Sequence, residues 1–311
     1  MTLALPALAL SAVPGRQRAT LELAREIEDR GFAGIYCPSY GDGLGLCQAI
    51  AHVTDRISFG TAIANVYTRH VTDYAQTASL IHELSEGRFR FGIGVSHESM
   101  NDRLGVTPGP PLADIRAFVE RLRSQRRVGE LPPIVLAAMR DKMCALAAEI
   151  ADGMVLANSA RTALVGTLER QPTPVGDGFF VGGMIPTCVS DDREAAAAVM
   201  RKTLTMYVGL PNYRNYWKQV GYRDEMVAIE AAIARADHDA VPGLMSDRWL
   251  RDCTLHGPAS EVRDGLRAWY EAGLSTPILV PSSVVGGQFA AFREVFDIFH
   301  TEVRTPSTKV G

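Results

Sequence analysis

The feature that most restricts this chain is a repeated alternation. Short apolar runs bounded by turn residues are each followed by a longer segment with apolar positions at helical spacing. Residues 3–10 form the first apolar run, closed by Ser11, Pro14 and Gly15. They read as a strand buried on both faces, as strands of parallel sheets are. Residues 16–30 place Leu21, Leu23, Ala24 and Ile27 on one stripe among charges, and Gly31 follows as a helix-ending glycine. The cycle recurs with strands at residues 34–38, 57–61, 90–94, 133–137, 153–156, 180–189 and 277–280. Helices are expected at residues 46–53, 73–84 with Asp73 as N-cap, 112–123, 141–150 and 289–302.

Strands alternating with helices over short connections require a parallel sheet, and right-handed crossovers leave an open doubly wound sheet or a closed barrel. Eight strand units within 311 residues favour a (β/α)8 TIM barrel, and residues 1–311 read as one such domain. Between the seventh and eighth strands, residues 193–272 are too long for one crossover helix and read as a helical insertion, with runs at 194–207, 225–236 and 259–272. Within it, residues 210–217, which include Tyr213, Tyr216 and Trp217, are polar and aromatic. That composition suits an exposed cover over a mouth, a partner contact, or irregular packing on the barrel exterior.

Charge narrows the partners. Thirty-two Lys and Arg against 35 Asp and Glu leave a net charge of −3, which supplies no field for holding a nucleic acid or an acidic membrane. No stretch approaches the roughly 20 apolar residues of a membrane span. The opening apolar run has no basic residues before it and is interrupted by Pro6, so it reads as a strand and not a signal peptide. Five scattered cysteines without CxxC spacing point to buried thiols in a reducing cytosol.

In a barrel, ligands bind where the strands end, which singles out Ser39, Tyr40, residues 62–70, residues 95–101, residues 138–141 and Asn158. Gly92 and Gly94 at one strand end either let a flat ligand approach the backbone or mark close strand packing. His97 and His70 fall in such loops and could exchange a proton near neutral pH. No metal-ligand spacing and no GxSxG elbow is present, which sets aside metal and nucleophilic catalysis. Ala137, Ala138, Met139 and Arg140 lead into a helix N-terminus, a place that favours phosphate. With the small apolar bed of Ala62, Ile63 and Ala64, these ends describe a seat for a planar ring with a phosphorylated tail.

Three segments carry a resemblance to a known family. They are residues 31–36 with 55–70, residues 84–97, and residues 136–153, in that order. Together they resemble the bacterial luciferase-like flavin and deazaflavin oxidoreductases, closest to the branch dependent on coenzyme F420. The resemblance implies a TIM barrel, often dimeric, acting on a small-molecule substrate with F420, or alternatively with FMN in a monooxygenase reaction. It implies a ring contact at Ser39, a third-strand bulge at Ala62, Ile63 and Ala64 that backs the ring, often with a non-prolyl cis peptide, further contacts at Gly94, Val95 and Ser96, and phosphate near Ala137 to Arg140. An acid or base after the fourth strand would be His97 or Glu98, with His97 the candidate catalytic residue, or else a group that only fixes geometry. Many relatives carry an acidic residue after the second strand where this chain has Pro38, Ser39 and Tyr40. That departure leaves a third reading, a cofactor-free barrel that serves as a binding or subunit protein.

Overall fold

The structure, a computed structural model, describes residues 4–171 and 178–299. Its strands are β1 (Ala7–Ala9), β2 (Gly34–Cys37), β3 (Phe59–Thr61), β4 (Ala64–Asn65), β5 (Phe89–Gly94), β6 (Ile134–Ala138), β7 (Gly153–Ala157), β8 (Phe180–Val189), β9 (Leu255–Gly257) and β10 (Thr276–Ser282). The helices that follow the first strands are α1 (Gln17–Asp29), α2 (Gly43–Val53), α3 (Val71–Leu84), α4 (Glu98–Arg103), α5 (Pro111–Arg123), α6 (Asp141–Ile150) and α7 (Arg161–Glu169). After β8 come α8 (Arg193–Val208), α9 (Pro211–Gln219), α10 (Arg223–Ala234), a 3-10 turn at Val241–Leu244 and α11 (Asp247–Cys253). Helix α12 (Ala259–Glu271) separates β9 from β10, and α13 (Gln288–Ile298) closes the series.

All strand pairs are parallel, and β1 bonds to both β2 and β10, so the sheet closes on itself. With β3 and β4 counted as two parts of one strand, and β9 set aside, this is the (β/α)8 barrel that the periodicity predicts. Thr187 and Cys188 of β8 pair with both β10 and β9, so β9 takes over the edge that β7 leaves at Met184. Among the described residues no helix is long and apolar enough to cross a membrane, and all five cysteines are free and buried.

Several local expectations change. Helix α3 starts at Val71, and its cap is His70, whose Nδ1 accepts the Thr72 N–H at 3.3 Å; Asp73 lies in the first turn and faces Arg69 at 3.5 Å. Residues 210–217 are not an exposed segment. They form most of α9, with Tyr213, Tyr216 and Trp217 4%, 3% and 0% exposed. The buried residues Tyr213, Arg214, Tyr216 and Trp217 recur at helical spacing, a core-facing stripe written in aromatic residues. Arg214 is accommodated by bonds to the Val208 carbonyl at 2.6 Å and Glu230 at 3.1 Å. Residue 3 of the first expected strand and residues 300–302 of the last expected helix lie outside the described residues.

The N-terminal end of the barrel gives a physical role to residues 55–57 and 85–88, which lie in two of the segments that carry the resemblance. Glu28 Oε1 accepts the backbone N–H groups of Asp55, Arg56 and Ile57 at 3.0, 2.7 and 2.8 Å. Opposite it, Arg88 donates to Thr54 Oγ1 and the carbonyls of Ala51, Thr54, Ile57 and Ser85, so the turn before β3 is gripped from both sides. Burial pushes the Glu28 carboxyl up, but the three N–H donors and the Arg56 charge outweigh it and hold the pKa below the usual value. A carboxyl lowered on folding stabilises above its unfolded pKa and loses that contribution as pH falls through the folded one. Glu28→Ala should therefore cost about 2–3 kcal/mol in urea unfolding at neutral pH, with the gap from wild type narrowing in acid. Equal stability at neutral pH, or a gap that widens in acid, would contradict this role.

Candidate active site at the barrel mouth

Register places a bulge in the third strand. Gly60 pairs with Arg90 while Ala64 pairs with Ile93, so Thr61, Ala62 and Ile63 stand opposite only Phe91 and Gly92. The Ala62–Ile63 peptide within it is cis. The displaced backbone is tied on both sides. The Ala62 N–H donates to the Cys37 carbonyl at 2.8 Å, Ser39 Oγ to the Ile63 carbonyl at 2.7 Å, and Thr61 Oγ1 to the Gly92 carbonyl at 2.6 Å.

Such a close approach dictates glycine on the neighbouring strand. A Cβ at position 92 would lie 1.8 Å from the Thr61 carbonyl oxygen, and one at position 94 would lie 2.9 Å from Ala137 Cβ and 3.1 Å from Ile63 Cδ1. Of the two readings of these glycines, close strand packing is the one the structure displays.

The lumen has a base filled by large side chains and an upper part lined by small ones. Tyr36 and Phe180 stack with ring centroids 5.5 Å apart, and the Arg90 guanidinium lies 5.1 Å from the Phe180 ring, which plugs the lower part. Higher up, alternation along the strands turns Ala62, Gly94, Ala137 and Ala157 inward, beside Ile63, Met184 and Val280. Barrel interiors are ordinarily filled by bulky branched residues. Small residues at the mouth leave room for a flat group against the bulge.

The loop after β5 is fixed by two buried asparagines. Asn65 Nδ2 donates to Asn101 Oδ1 at 3.1 Å, and Asn101 Nδ2 to the Val95 carbonyl at 3.0 Å. Ser96 takes a left-handed backbone with φ +58. His97 follows with its ring centroid 5.6 Å from that of Tyr213. Its imidazole forms no hydrogen bond among the described residues, and burial pushes its pKa below the ordinary value, which keeps it neutral and able to accept a proton. Glu98 is exposed in the first turn of α4.

Helices α8 and α9 roof the mouth. Tyr207 and Tyr213 lie 5.1 Å apart, Tyr213 and Trp217 5.4 Å apart, and Tyr207 meets Tyr40 from the loop after β2. Two bonds dock α9 onto the end of β7, from Trp217 Nε1 to the Asn158 carbonyl at 3.2 Å and from the Ala160 N–H to Tyr216 Oη at 3.0 Å.

Thus Ser39, Ala62, Ile63, Ala64 and Gly94 meet at the bulge, and Ala137 borders it. Val95, Ser96 and His97 stand on the adjoining loop. Ala138, by contrast, is buried on the helix-facing side of β6. Met139 touches the cluster formed by α8 and α9, and Arg140 is exposed just before α6. Helix α6 has no side-chain N-cap bond, and of its first-turn N–H groups that of Met143 donates to the Arg140 carbonyl at 2.9 Å, which leaves those of Asp141 and Lys142. His70 caps α3 and takes no part. The one carboxylate of the loop after β2, Asp42, caps α2 through the Gly45 N–H at 3.0 Å and pairs with Arg69 at 2.9 Å. Sequence reasoning had Asn65 and Asn101 only as members of the strand-end segments 62–70 and 95–101, without a role, and missed Tyr207 and the inward role of Tyr213.

Comparison with known proteins gives the family and agrees with the fold. The sequence profile of a family described as luciferase-like monooxygenase matches residues 2–276. A 5,10-methylenetetrahydromethanopterin reductase of Archaeoglobus fulgidus is 29% identical over 294 residues, 83% of this chain and 87% of that protein. The structure of coenzyme F420 dependent tetrahydromethanopterin reductase from Methanopyrus kandleri superposes with a TM-score of 0.73 at 17% identity, over 94% of this chain and 97% of that one. An F420-dependent secondary alcohol dehydrogenase, solved with an F420-acetone adduct, gives 0.71 at 15% identity over 96% and 100%.

The environment of His97 is directly measurable. In an NMR titration its imidazole should change charge below the ordinary midpoint of about 6.5. Tyr213→Ala, which uncovers the ring, should move the midpoint back toward that value. A wild-type midpoint at or above the ordinary one would contradict the burial seen here.

Proposed function

This chain belongs to the luciferase-like monooxygenase family, and from that premise we propose that it is an oxidoreductase that transfers a hydride between coenzyme F420 and a small organic substrate. The observation that carries this reading is the set of small inward residues, Ala62, Gly94, Ala137 and Ala157, that stand beside the bulge where a barrel ordinarily has bulky ones. Similarity to F420-dependent proteins supports F420 over FMN as the group that sits there.

When bound, the deazaflavin supplies a ring carbon that accepts or gives up hydride. The work of this chain is placement. Ala62, Ile63 and Ala64 would back the ring, with Ser39, Gly94, Val95, Ser96 and Ala137 around it. Met139, Arg140 and the Asp141 and Lys142 N–H groups that open α6 would hold the phosphate. His97 is neutral and unbonded, and so can hold the proton that an alcohol or carbonyl oxygen must lose or gain. Tyr207 and Tyr213 exclude water from above. In this reading the chain is one barrel domain, and α8 to α11 are its cover.

Titration of the purified protein with oxidised F420 and, separately, with FMN, followed by tryptophan fluorescence, tests the proposal. F420 should bind with a Kd on the order of 1 μM and FMN more weakly. Met139→Trp should abolish binding, whereas His97→Ala should retain it. Preference for FMN would redirect the assignment to monooxygenation, and binding of neither would favour a barrel without a cofactor.

A further inference from the structure

The strands contain, among the described residues, a single Asp, Glu, Lys or Arg, which is Arg90 of β5. Phe89, Phe91 and Ile93 of that strand lie in the helix-side core, so alternation turns Arg90 into the lumen with Gly92 and Gly94. There its guanidinium lies 5.1 Å from the Phe180 ring and bonds to the Tyr36 hydroxyl. Burial pushes that phenol up to about 12, so it is a neutral partner. Arg90 forms no ion pair among the described residues, and no strand holds a carboxylate that could reach it from inside the barrel. A cation turned inward without a carboxylate is costly to desolvate, and an anion from outside the chain would offset that cost.

The level of Arg90 in the barrel says where such an anion would lie. Register sets Tyr36 beside Gly60 and Gly60 beside Arg90, one inward position below Ala62 of the bulge. Above Arg90 the inward positions of β5 are Gly92 and Gly94, so no side chain of that strand separates the guanidinium from the shelf. The neighbouring inward residues Ala62, Val135 and Val155 are apolar and buried, and such surroundings screen a charge far less than water does.

We infer that Arg90 sets the ionisation of the bound ring, its charge favouring the form of oxidised F420 that has lost the ring hydroxyl proton. The inference deepens the proposed hydride transfer and rests on it for the identity of the ring. Arg90 acts through its field across the bulge and is not itself a catalytic residue. It is half-buried, and the water it keeps limits the effect to about tenfold.

Other ionisable groups surround the shelf from the mouth side. Asp42 is paired with Arg69, and Asp141 with Arg170. Burial raises the phenols of Tyr207 and Tyr213, which adjoin Tyr40, and lowers the imidazole of His97. Glu98, Asp102 and Arg103 of α4 are exposed, as are Arg140 and Lys142 beside α6, and Arg161 is half-buried at the start of α7. All of these remain in place when Arg90 is changed, so a comparison of variants isolates its charge.

The chromophore itself is the probe. Oxidised F420 changes its visible absorption when the ring hydroxyl loses its proton, and the titration is read at saturating cofactor in wild type, Arg90→Met and Arg90→Lys. The midpoint should rise by about one pH unit in Arg90→Met and by less in Arg90→Lys, which keeps the charge. By linkage, Arg90→Met should weaken F420 about tenfold above the midpoint and leave its affinity unchanged well below it. Arg90→Met leaves the Tyr36 hydroxyl without its partner. The double variant Arg90→Met with Tyr36→Phe removes both, should show the same shift, and serves where the single one does not fold.

Equal midpoints in wild type and the uncharged variants would overturn the inference. So would an Arg90→Lys midpoint that matches Arg90→Met, since shape and not charge would then be at work. F420 that binds with an unshifted midpoint sinks the role of Arg90 and spares the proposed function. F420 that does not bind sinks the proposed function, and the inference with it.

Discussion

Everything at the mouth depends on three residues of the third strand facing two of the fourth. That single extra residue pushes the backbone at Ala62 and Ile63 into the barrel, where it takes bonds from Ser39 on one side and touches Gly92 and Gly94 on the other. A bulge re-aims a strand at the cost of local pairing. Here the lost pairing is replaced by the Ala62, Ser39 and Thr61 bonds, and the neighbouring strand has given up its side chains to admit it. The result is a smooth shelf of small groups at the top of a lumen whose base is closed by Tyr36, Arg90 and Phe180.

Above the shelf the chain supplies the polar groups that the barrel strands lack. The Asn65 and Asn101 pair holds the loop that carries His97, and α9 clamps the end of β7 through Trp217 and Tyr216. Those two fastenings bring His97, Tyr213 and Asn158 together from elements far apart in the chain. The loop carboxylate, Asp42, is spent on a helix cap and an arginine, so the acid that many relatives place after the second strand has no free counterpart here. In the proposed hydride transfer, proton handling falls to His97, whose pKa burial lowers.

Much of this architecture was legible in residue periodicity. The bounds expected for α6 and β8 coincide with those observed, because each is a run long enough for its period to show between clear turn signals. Strands of two or three residues, β4 and β9, carry no period and escaped notice. Helix α9 was misjudged because its buried stripe is made of tyrosine, arginine and tryptophan, residue types that by composition alone look like surface. The cap of α3 was assigned to Asp73, whereas His70 fills it, a difference settled by one turn of backbone geometry. At the site, the bulge was expected from resemblance and its glycines were noticed. The contact of Tyr207 and Tyr213 with Asn158 joins residues about fifty positions apart, and no local spacing encodes it.

The most direct measurement is a crystal structure of the chain grown with F420. The account predicts the tricyclic ring lying against Ala62, Ile63 and Ala64, bordered by Gly94 and Ala137, with the phosphate at the start of α6 and one ring face open toward Asn158 and His97. A ring bound outside the lumen, or a mouth in which Ile63 and Met184 have closed the space above the shelf, would contradict it.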